Sequence, residues 1–507
     1  MRIAAAQINP VVGDISGNSD LIMSAIKEAM NQGAHVLLFP EMVVTGYPVE
    51  DLALRPAFRR ASRDAVSRIA HQAAEVGAGE MLLIVGYLDE NPQPENAVAV
   101  IHQGKVVAKY VKRHLPNYGV FDEFRNFVPG QGSLVVRHGD VDIAIAICED
   151  IWQDSGVVPE IAARKPGLVL VANASPYERK KDDRRLALVQ KRAREFASPL
   201  VYVNQVGAQD DLVFDGDSVI VDSEGKVLAR APQFESDIFI TDVDVLTATS
   251  KPDVDLTSTL RIPRENVKPL LAERLSDEEE MWTALVIGLR DYIGKNGFTS
   301  VALGLSGGID SAVVATLAVD ALGKDRVFGV SLPSKYSSEH SLSDAKSLAS
   351  NLGIDYRVIE IEPVVQSFLK ATTLSGVAEE NVQARVRGSL LMGLSNQEGH
   401  LILATGNKSE LAVGYSTLYG DAVGGFAPIK DIFKVDVWRL ARWRNGLAKT
   451  RGEVEPIPVS SIEKEPSAEL RPGQKDSDSL PPYPILDQLL DIYVRSEEHT
   501  SELQSPD

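Results

Sequence analysis

The sequence predicts an α/β protein of two layered domains joined by a linker, and three observations carry that expectation. From Met1 to about Val245 short apolar runs alternate with amphipathic stretches. From Leu246 to about Leu275 the periodicity lapses into Thr, Ser, Asp, Pro and Lys, the composition of a connector. A second α/β pattern then begins, with a glycine-rich loop set between a strand and a helix.

In the first half Arg2–Gln7, Val36–Phe39, Met81–Gly86, Ala97–His102, Val141–Ile147, Leu168–Ala172, Leu200–Asn204 and Ser218–Val221 read as strands. Asn18–Gln32 and Arg184–Ala197 carry helical periodicity, and Asp222–Lys226 reads as a hairpin turn between two β-rich runs. In the second half a helix near Glu278–Asn296 leads to a strand at Ser300–Leu305, then a loop and the helix Ser311–Leu322. Strand Val327–Leu332, helix Ser341–Leu352 and strands Tyr356–Ile361 and Leu401–Thr405 continue it. Strands separated by helices imply right-handed crossovers and a doubly wound parallel sheet, with ligands beyond the carboxyl ends of the strands. The Ser460–Pro484 stretch, rich in Pro, Ser, Glu and Asp, reads as loop.

At 507 residues the chain has material for two large cores, and 44% hydrophobic with 24% charged residues is ordinary globular composition. No run approaches ~18 apolar residues, which excludes a helical membrane span, and the first residues enter strand-like sequence without a secretory signal. A cytoplasmic protein is expected. A net charge of −19 argues against nucleic acid as a partner. The single cysteine, Cys148, excludes an intrachain disulfide and a Cys-rich metal site.

Three strand-like runs end in reactive side chains. Val-Leu-Leu-Phe-Pro precedes Glu41, Val-Ala-Lys-Tyr-Val precedes Lys112, and Val141–Ile147 precedes Cys148. Strand ends converge on one rim of an α/β layer, where a carboxylate can take the thiol proton and an ammonium can hold an oxyanion. Taken singly, a surface Glu, a solvated Lys and a core Cys are the plainer readings. Together, Phe-Pro-Glu41, Lys112-x-x-Leu-Pro and Cys148-Glu-Asp resemble the nitrilase (carbon–nitrogen hydrolase) superfamily throughout this half. The resemblance implies an αββα sandwich over residues 1–245, with Glu41 as general base, Lys112 as oxyanion stabiliser and Cys148 as nucleophile. It further implies that Tyr118, Ser175 and Lys181 contact a glutamine substrate, with Glu123 as an accessory carboxylate near the thiol.

In the second half the strand Val301–Leu305 runs into Ser306-Gly307-Gly308-Ile309-Asp310-Ser311 and then a helix. Glycines let the backbone approach a phosphate, the helix start supplies free N–H groups, and Asp310 suits Mg²⁺. The loop resembles the pyrophosphate loop of ATP pyrophosphatases, which attack the α-phosphate and leave an adenylate. On that resemblance Gly304, Leu305, Ser306, Gly307, Gly308, Ile309, Asp310 and Ser311 bind ATP.

Glu380-Asn381-Val-Gln-Ala-Arg-Val-Arg387-Gly, Thr405-Gly-Asn-Lys-Ser-Glu410 and Tyr419-Gly-Asp421 narrow the resemblance to the glutamine-dependent NAD synthetases, over the whole chain to about Val494. It implies that Thr405 contacts ATP, that Asn381, Glu410 and Asp421 bind deamido-NAD, and that Asp310 and Glu410 hold Mg²⁺. Arg385 and Arg387 are candidate phosphate partners, although a surface helix accounts for two arginines equally well. The substrates implied are ATP, L-glutamine and deamido-NAD, with no nucleic acid or membrane partner, and a homo-oligomer is expected. Two rivals stay open: a coupled amidotransferase with another ATP-activated acceptor, and a nucleotide-binding regulatory module beside an uncoupled amidase.

The expected organisation is therefore a glutamine amidohydrolase domain at 1–245, a linker at 246–275, a synthetase domain at 276–494 and a non-native tail at 495–507. Ile485–Val494 is amphipathic, whereas Arg495–Ser505 loses any apolar face and resembles a translated sequencing adapter. Few contacts are expected from Ser496 onward.

Overall fold

The structure is a computed structural model that describes residues 1–256 and 267–502, with side chains described as far as Val494. The chain divides into two compact units, Met1–Leu275 and Ser276–Asp507.

Among the described residues the first unit holds a six-stranded and a seven-stranded sheet. The six-stranded sheet runs in the order Asp237–Asp242, Arg2–Gln7, Val36–Leu38, Leu82–Glu90, Pro94–His102, Lys105–Val111. The seven-stranded sheet runs Val227–Arg230, Val219–Val221, Leu200–Asn204, Leu168–Asn173, Val141–Ile147, Leu134–His138, Val254–Leu256. Side-chain alternation along a strand explains the layering. Ile3 and Ala5, Val36 and Leu38 face Ile143, Ile145, Leu168 and Leu170 in one core between the sheets. Ala4, Ala6 and Leu37 face instead the helices Ile15–Asn31 and Pro56–Glu75. Ala144, Ala146, Val169 and Val171 face the helices Val157–Arg164 and Lys181–Phe196. The unit is an αββα sandwich.

The described parts of the 246–275 interval also pair with strands of the first unit. Val254–Leu256 pairs in parallel with Val136–His138, and Leu271 bridges to Arg230. Three-residue pairing amid Asp, Lys and Thr leaves no period to read, which is why the sequence suggests only linker. The helix Pro56–Glu75 also escapes the sequence reading. The turn at Asp222–Lys226 does join two antiparallel strands, with Gly225 at φ +83°.

The second unit is built on a parallel sheet in the order Asp355–Val358, Val327–Ser331, Val301–Gly304, Leu401–Ile402. Val301 and Leu303 pack against helices Asp277–Lys295, Ile309–Leu322, Glu339–Leu352 and Lys434–Thr450. Ala302, Val330 and Ile402 pack on the other face, against Glu362–Ala371 and Val377–Glu398. Helices on both faces make the sheet doubly wound, and its order switches beside Val301–Gly304, where such sheets take ligands. Two expected strands are shorter than the sequence suggests. The Tyr356–Ile361 stretch ends its ladder at Val358 as the chain turns to cap Glu362–Ala371, and within Leu401–Thr405 the ladder with Val301–Ala302 covers Leu401–Ile402, after which Leu403 bridges to Phe426. Helix Tyr483–Glu502 runs past Val494. The expectation of few contacts beyond Ser496 falls on side chains outside the described residues. No described helix is long and apolar enough to cross a membrane.

Candidate functional site

In the first unit three strand ends bring Glu41, Lys112 and Cys148 together. Lys112 is fully buried, and its Nζ donates to Glu41 Oε1 and Glu123 Oε1, each at 2.8 Å. Glu41 is fixed further by Asn96 Nδ2 on Oε1 at 2.7 Å and by the Ala174 amide on Oε2 at 3.0 Å. Tyr47 Oη donates to Glu123 Oε1 at 2.8 Å. Burial alone would lower the Lys112 pKa, but Glu123 and Glu41 outweigh it and hold the ammonium well above its usual range. Burial pushes Glu123 up to about 7, with Lys112 opposing and Glu41 assisting.

Cys148, 4% exposed, closes the same cluster, and the Glu41 and Lys112 charges act on its thiol. Burial, followed by Glu41, raises the thiol pKa well above normal, while Lys112 pulls the other way. A thiol held protonated needs a base to become a nucleophile, and a carboxylate such as Glu41, whose charge acts on it, is a group chemically able to serve as one. Cys148 also sits at φ +42°, left-handed backbone that costs a non-glycine residue about 1–2 kcal/mol. Such strain persists where the surroundings over-determine it. The turn that carries Glu41 leans on the neighbouring strand at Gly86, where a Cβ would lie 2.3 Å from Pro40 O and 2.4 Å from Met42 N.

The expected substrate contacts flank this cluster. Tyr118 Oη donates to Glu149 Oε2 at 2.8 Å, from a residue that is 41% exposed. Ser175 is buried, with its amide donating to Asn204 Oδ1 at 2.8 Å. Half-buried Lys181 lies 5.7 Å from the Phe121 ring centroid, and burial followed by Arg185 lowers its pKa.

In the second unit a cavity of about 270 Å³ opens at the carboxyl ends of the parallel strands. Gly304, Leu305, Ser306, Gly308, Ile309, Asp310, Ser311, Thr405, Glu410 and Asp421 line it, as does Arg387. Gly307 shapes the loop from behind: at φ +79° a Cβ there would lie 2.3 Å from Ser341 O. Asn381 is outside the lining but accepts from Thr417 Oγ1 at 2.9 Å, and Thr417 is in it. Arg385 points elsewhere, donating to Leu418 O from an exposed position.

A buried lysine absent from the sequence reading ties this site together. Lys434 Nζ donates to Asp310 Oδ2 at 2.5 Å and to Glu410 Oε1 at 3.1 Å. Asn407 Nδ2 holds the other Asp310 oxygen at 2.9 Å. Burial, then Asp310, pushes Glu410 up to about 7 against the pull of Lys434. Lys464 and Glu469, on the Ser460–Pro484 stretch, also line the cavity, and Glu469 Oε1 accepts from Lys464 Nζ at 2.7 Å and Ser341 Oγ at 2.7 Å. Asp310 and Glu410 converge on one cationic point, which fits Mg²⁺, an ion commonly held by one or two carboxylates plus phosphate oxygens. Among the described residues no group of three His, Cys, Asp or Glu side chains offers a protein-only metal site.

Comparison with known proteins matches the two units separately and the chain as a whole. Residues 2–252 match the carbon-nitrogen hydrolase family and residues 281–506 the NAD synthase family. A glutamine-dependent NAD(+) synthetase of Thermotoga maritima is 42% identical, over 97% of this chain and 88% of its own length. One from Xylella fastidiosa is 43% identical over 99% and 90%. The solved glutamine-dependent NAD+ synthetase of Acinetobacter baumannii, in complex with ADP, superposes with a TM-score of 0.81 at 37% identity, covering 98% of this chain and 88% of that one.

Proposed function

The chain belongs to the glutamine-dependent NAD(+) synthetases, and from that premise we propose how its residues divide the reaction. The protein amidates deamido-NAD to NAD at the expense of ATP, drawing ammonia from glutamine and releasing AMP, pyrophosphate and glutamate. One observation carries the assignment of residues. A single chain holds both a buried thiol flanked by a carboxylate and an ammonium, and a cavity that opens on a Ser-Gly-Gly loop.

Glu41 takes the Cys148 proton as sulfur attacks the side-chain amide carbon of glutamine. The Lys112 ammonium stabilises the oxyanion, at a point where water is excluded and such a donor acts strongly. Collapse expels ammonia, which leaves with the proton that Glu41 returns, and a thioester remains. Glu41 then deprotonates the water that frees glutamate. Tyr118, Ser175 and Lys181 hold the amino-acid end of glutamine, and Glu123, a second carboxylate on Lys112, helps fix the ammonium.

In the second unit the loop from Gly304 to Ser311, with Thr405, positions ATP, while Asn381, Glu410 and Asp421 orient deamido-NAD. The nicotinate carboxylate attacks the α-phosphorus, pyrophosphate leaves, and ammonia displaces AMP from the adenylate. Asp310 and Glu410 would hold Mg²⁺, which supplies charge neutralisation for the departing pyrophosphate. Free ammonia is mostly protonated at neutral pH and then cannot attack, so joining its release to its use in one chain has a chemical reason.

The test is a steady-state assay with deamido-NAD, ATP and Mg²⁺, supplied with glutamine or an ammonium salt, following AMP and NAD. Equimolar AMP and NAD from both nitrogen sources is expected. AMP without NAD, or glutamate release with no dependence of synthesis on glutamine, overturns the coupled reading and returns the regulatory-module alternative.

A further inference from the structure

Asp150 belongs to none of the roles above, yet its carboxylate is fully buried between the two reactive strand ends. Its Oδ1 accepts from the amides of Arg113 at 3.0 Å and His114 at 2.9 Å. Its Oδ2 accepts from Tyr110 Oη at 2.7 Å and from the Ile147 amide at 3.1 Å. These partners bracket the chemistry. Tyr110 lies two residues before Lys112, Arg113 and His114 directly follow it, and Ile147 directly precedes Cys148. Lys112 continues the edge strand of one sheet and Cys148 a central strand of the other. We propose that Asp150 is a positioning residue for glutamine hydrolysis, a single carboxylate that joins the Lys112 segment to the Cys148 turn and sets the distance between ammonium and sulfur.

The backbone at Cys148 gives the carboxylate a specific task. Left-handed backbone at a non-glycine residue needs its neighbours held, and the Ile147 amide immediately before it is held by Asp150. A purely space-filling residue at this position would leave amides on both chains without acceptors and the two strand ends independent of each other. An Asn cannot restore the arrangement. Its one oxygen can serve either Arg113 and His114 or Ile147 and Tyr110, and its NH₂ then opposes an amide N–H on the other side.

The proposal rests on Cys148 as nucleophile. That reading fails separately, if Cys148→Ala keeps glutamine-driven synthesis. For Asp150→Asn the full chain should show a kcat for glutamine hydrolysis lower by about 100-fold, the scale of roughly 1 Å misplacement. The KM for glutamine should stay within about threefold, because no substrate contact is removed. Alkylation of Cys148 by iodoacetamide should slow in parallel, and ammonium-driven synthesis should stay at the wild-type rate. Tyr110→Phe removes one donor and keeps the amides, so it should show the same pattern at about a tenth of the effect. If Asp150→Asn does not fold, Tyr110→Phe decides on the same readouts. Wild-type kcat and alkylation in Tyr110→Phe, a change confined to KM, or equal loss with ammonium each overturns the proposal.

Discussion

Both units contain the same electrostatic figure, two carboxylates sharing one buried lysine, in opposite surroundings. In the first, Lys112 lies 2.8 Å from both Glu41 and Glu123, whose side chains are 1% and 3% exposed. In the second, Lys434 lies 2.5 Å from Asp310 and 3.1 Å from Glu410, both 18% exposed on the wall of a cavity. In each cluster burial raises one glutamate to about 7. The difference follows the chemistry asked of each. On the proposed roles a thiol attacks a small neutral amide and its proton moves only a short way, which suits a cluster closed to solvent. A polyphosphate brings several charges of its own, so the second is left open for them.

The sharpest break between the two sites is Cys148→Ala. Glutamine-driven NAD synthesis should fall by on the order of 10⁴-fold or more, while synthesis from ammonium salts continues, measured side by side. Equal loss with both donors in a folded variant removes the division of labour. Next comes Asp310→Asn, expected to reduce synthesis about 100-fold with either donor while glutamine hydrolysis persists. Wild-type synthesis at ordinary Mg²⁺ would sink the role assigned to Asp310.

Stability tests whether the shared figure has the same energetic meaning. Lys112→Met leaves two carboxylates buried without their cation and should cost about 3–5 kcal/mol. Lys434→Met should cost less than half of that, because water reaches Asp310 and Glu410 through the cavity. Calorimetry of both variants compares them directly, and equal costs would show that the cavity does not solvate its acids. A further effect, confined to the first unit, depends on pH. Burial, with His102 and His35 nearby, lowers His138 from 6.5 to about 4. Above pH 6.5 neither state binds the proton, so nothing changes. As pH falls from 6.5 to about 4 the unfolded chain binds a proton that the folded chain refuses, and stability drops by up to about 3 kcal/mol. Thermal melts across that window should show the loss, and His138→Gln should flatten it.

Much of this organisation is legible in the sequence, and the reasons are local. Short apolar runs such as Arg2–Gln7 and Val141–Ile147 mark buried strands, and a reactive residue immediately past a strand end is visible as such. The Ser-Gly-Gly loop is legible because strand, loop and helix occur in order within a short stretch. Lys434 is not, since it opens a helix after Asp431-Ile432-Phe433 with no motif of its own. Its role arises only where Lys434–Thr450 docks beside Ile309–Leu322. Asn96 and Tyr47, which fix Glu41 and Glu123, escape for the same reason: each acts across more than fifty residues of chain. The strand Val254–Leu256 is too short to impose a period.

The close approach at Gly86 changes how sequence variants of this protein should be ranked. A substitution table scores glycine to alanine as among the mildest changes, and Gly86 is not one of the reactive groups. Yet a single methyl there would overlap Pro40 O and Met42 N, on either side of Glu41. The turn would have to move, and Glu41 with it. A laboratory library or a genome survey that reads severity from chemical similarity would pass Gly86→Ala as benign, whereas the overlap at Pro40 and Met42 predicts a displaced Glu41 and, on the proposed roles, slower glutamine hydrolysis with every reactive residue still in place.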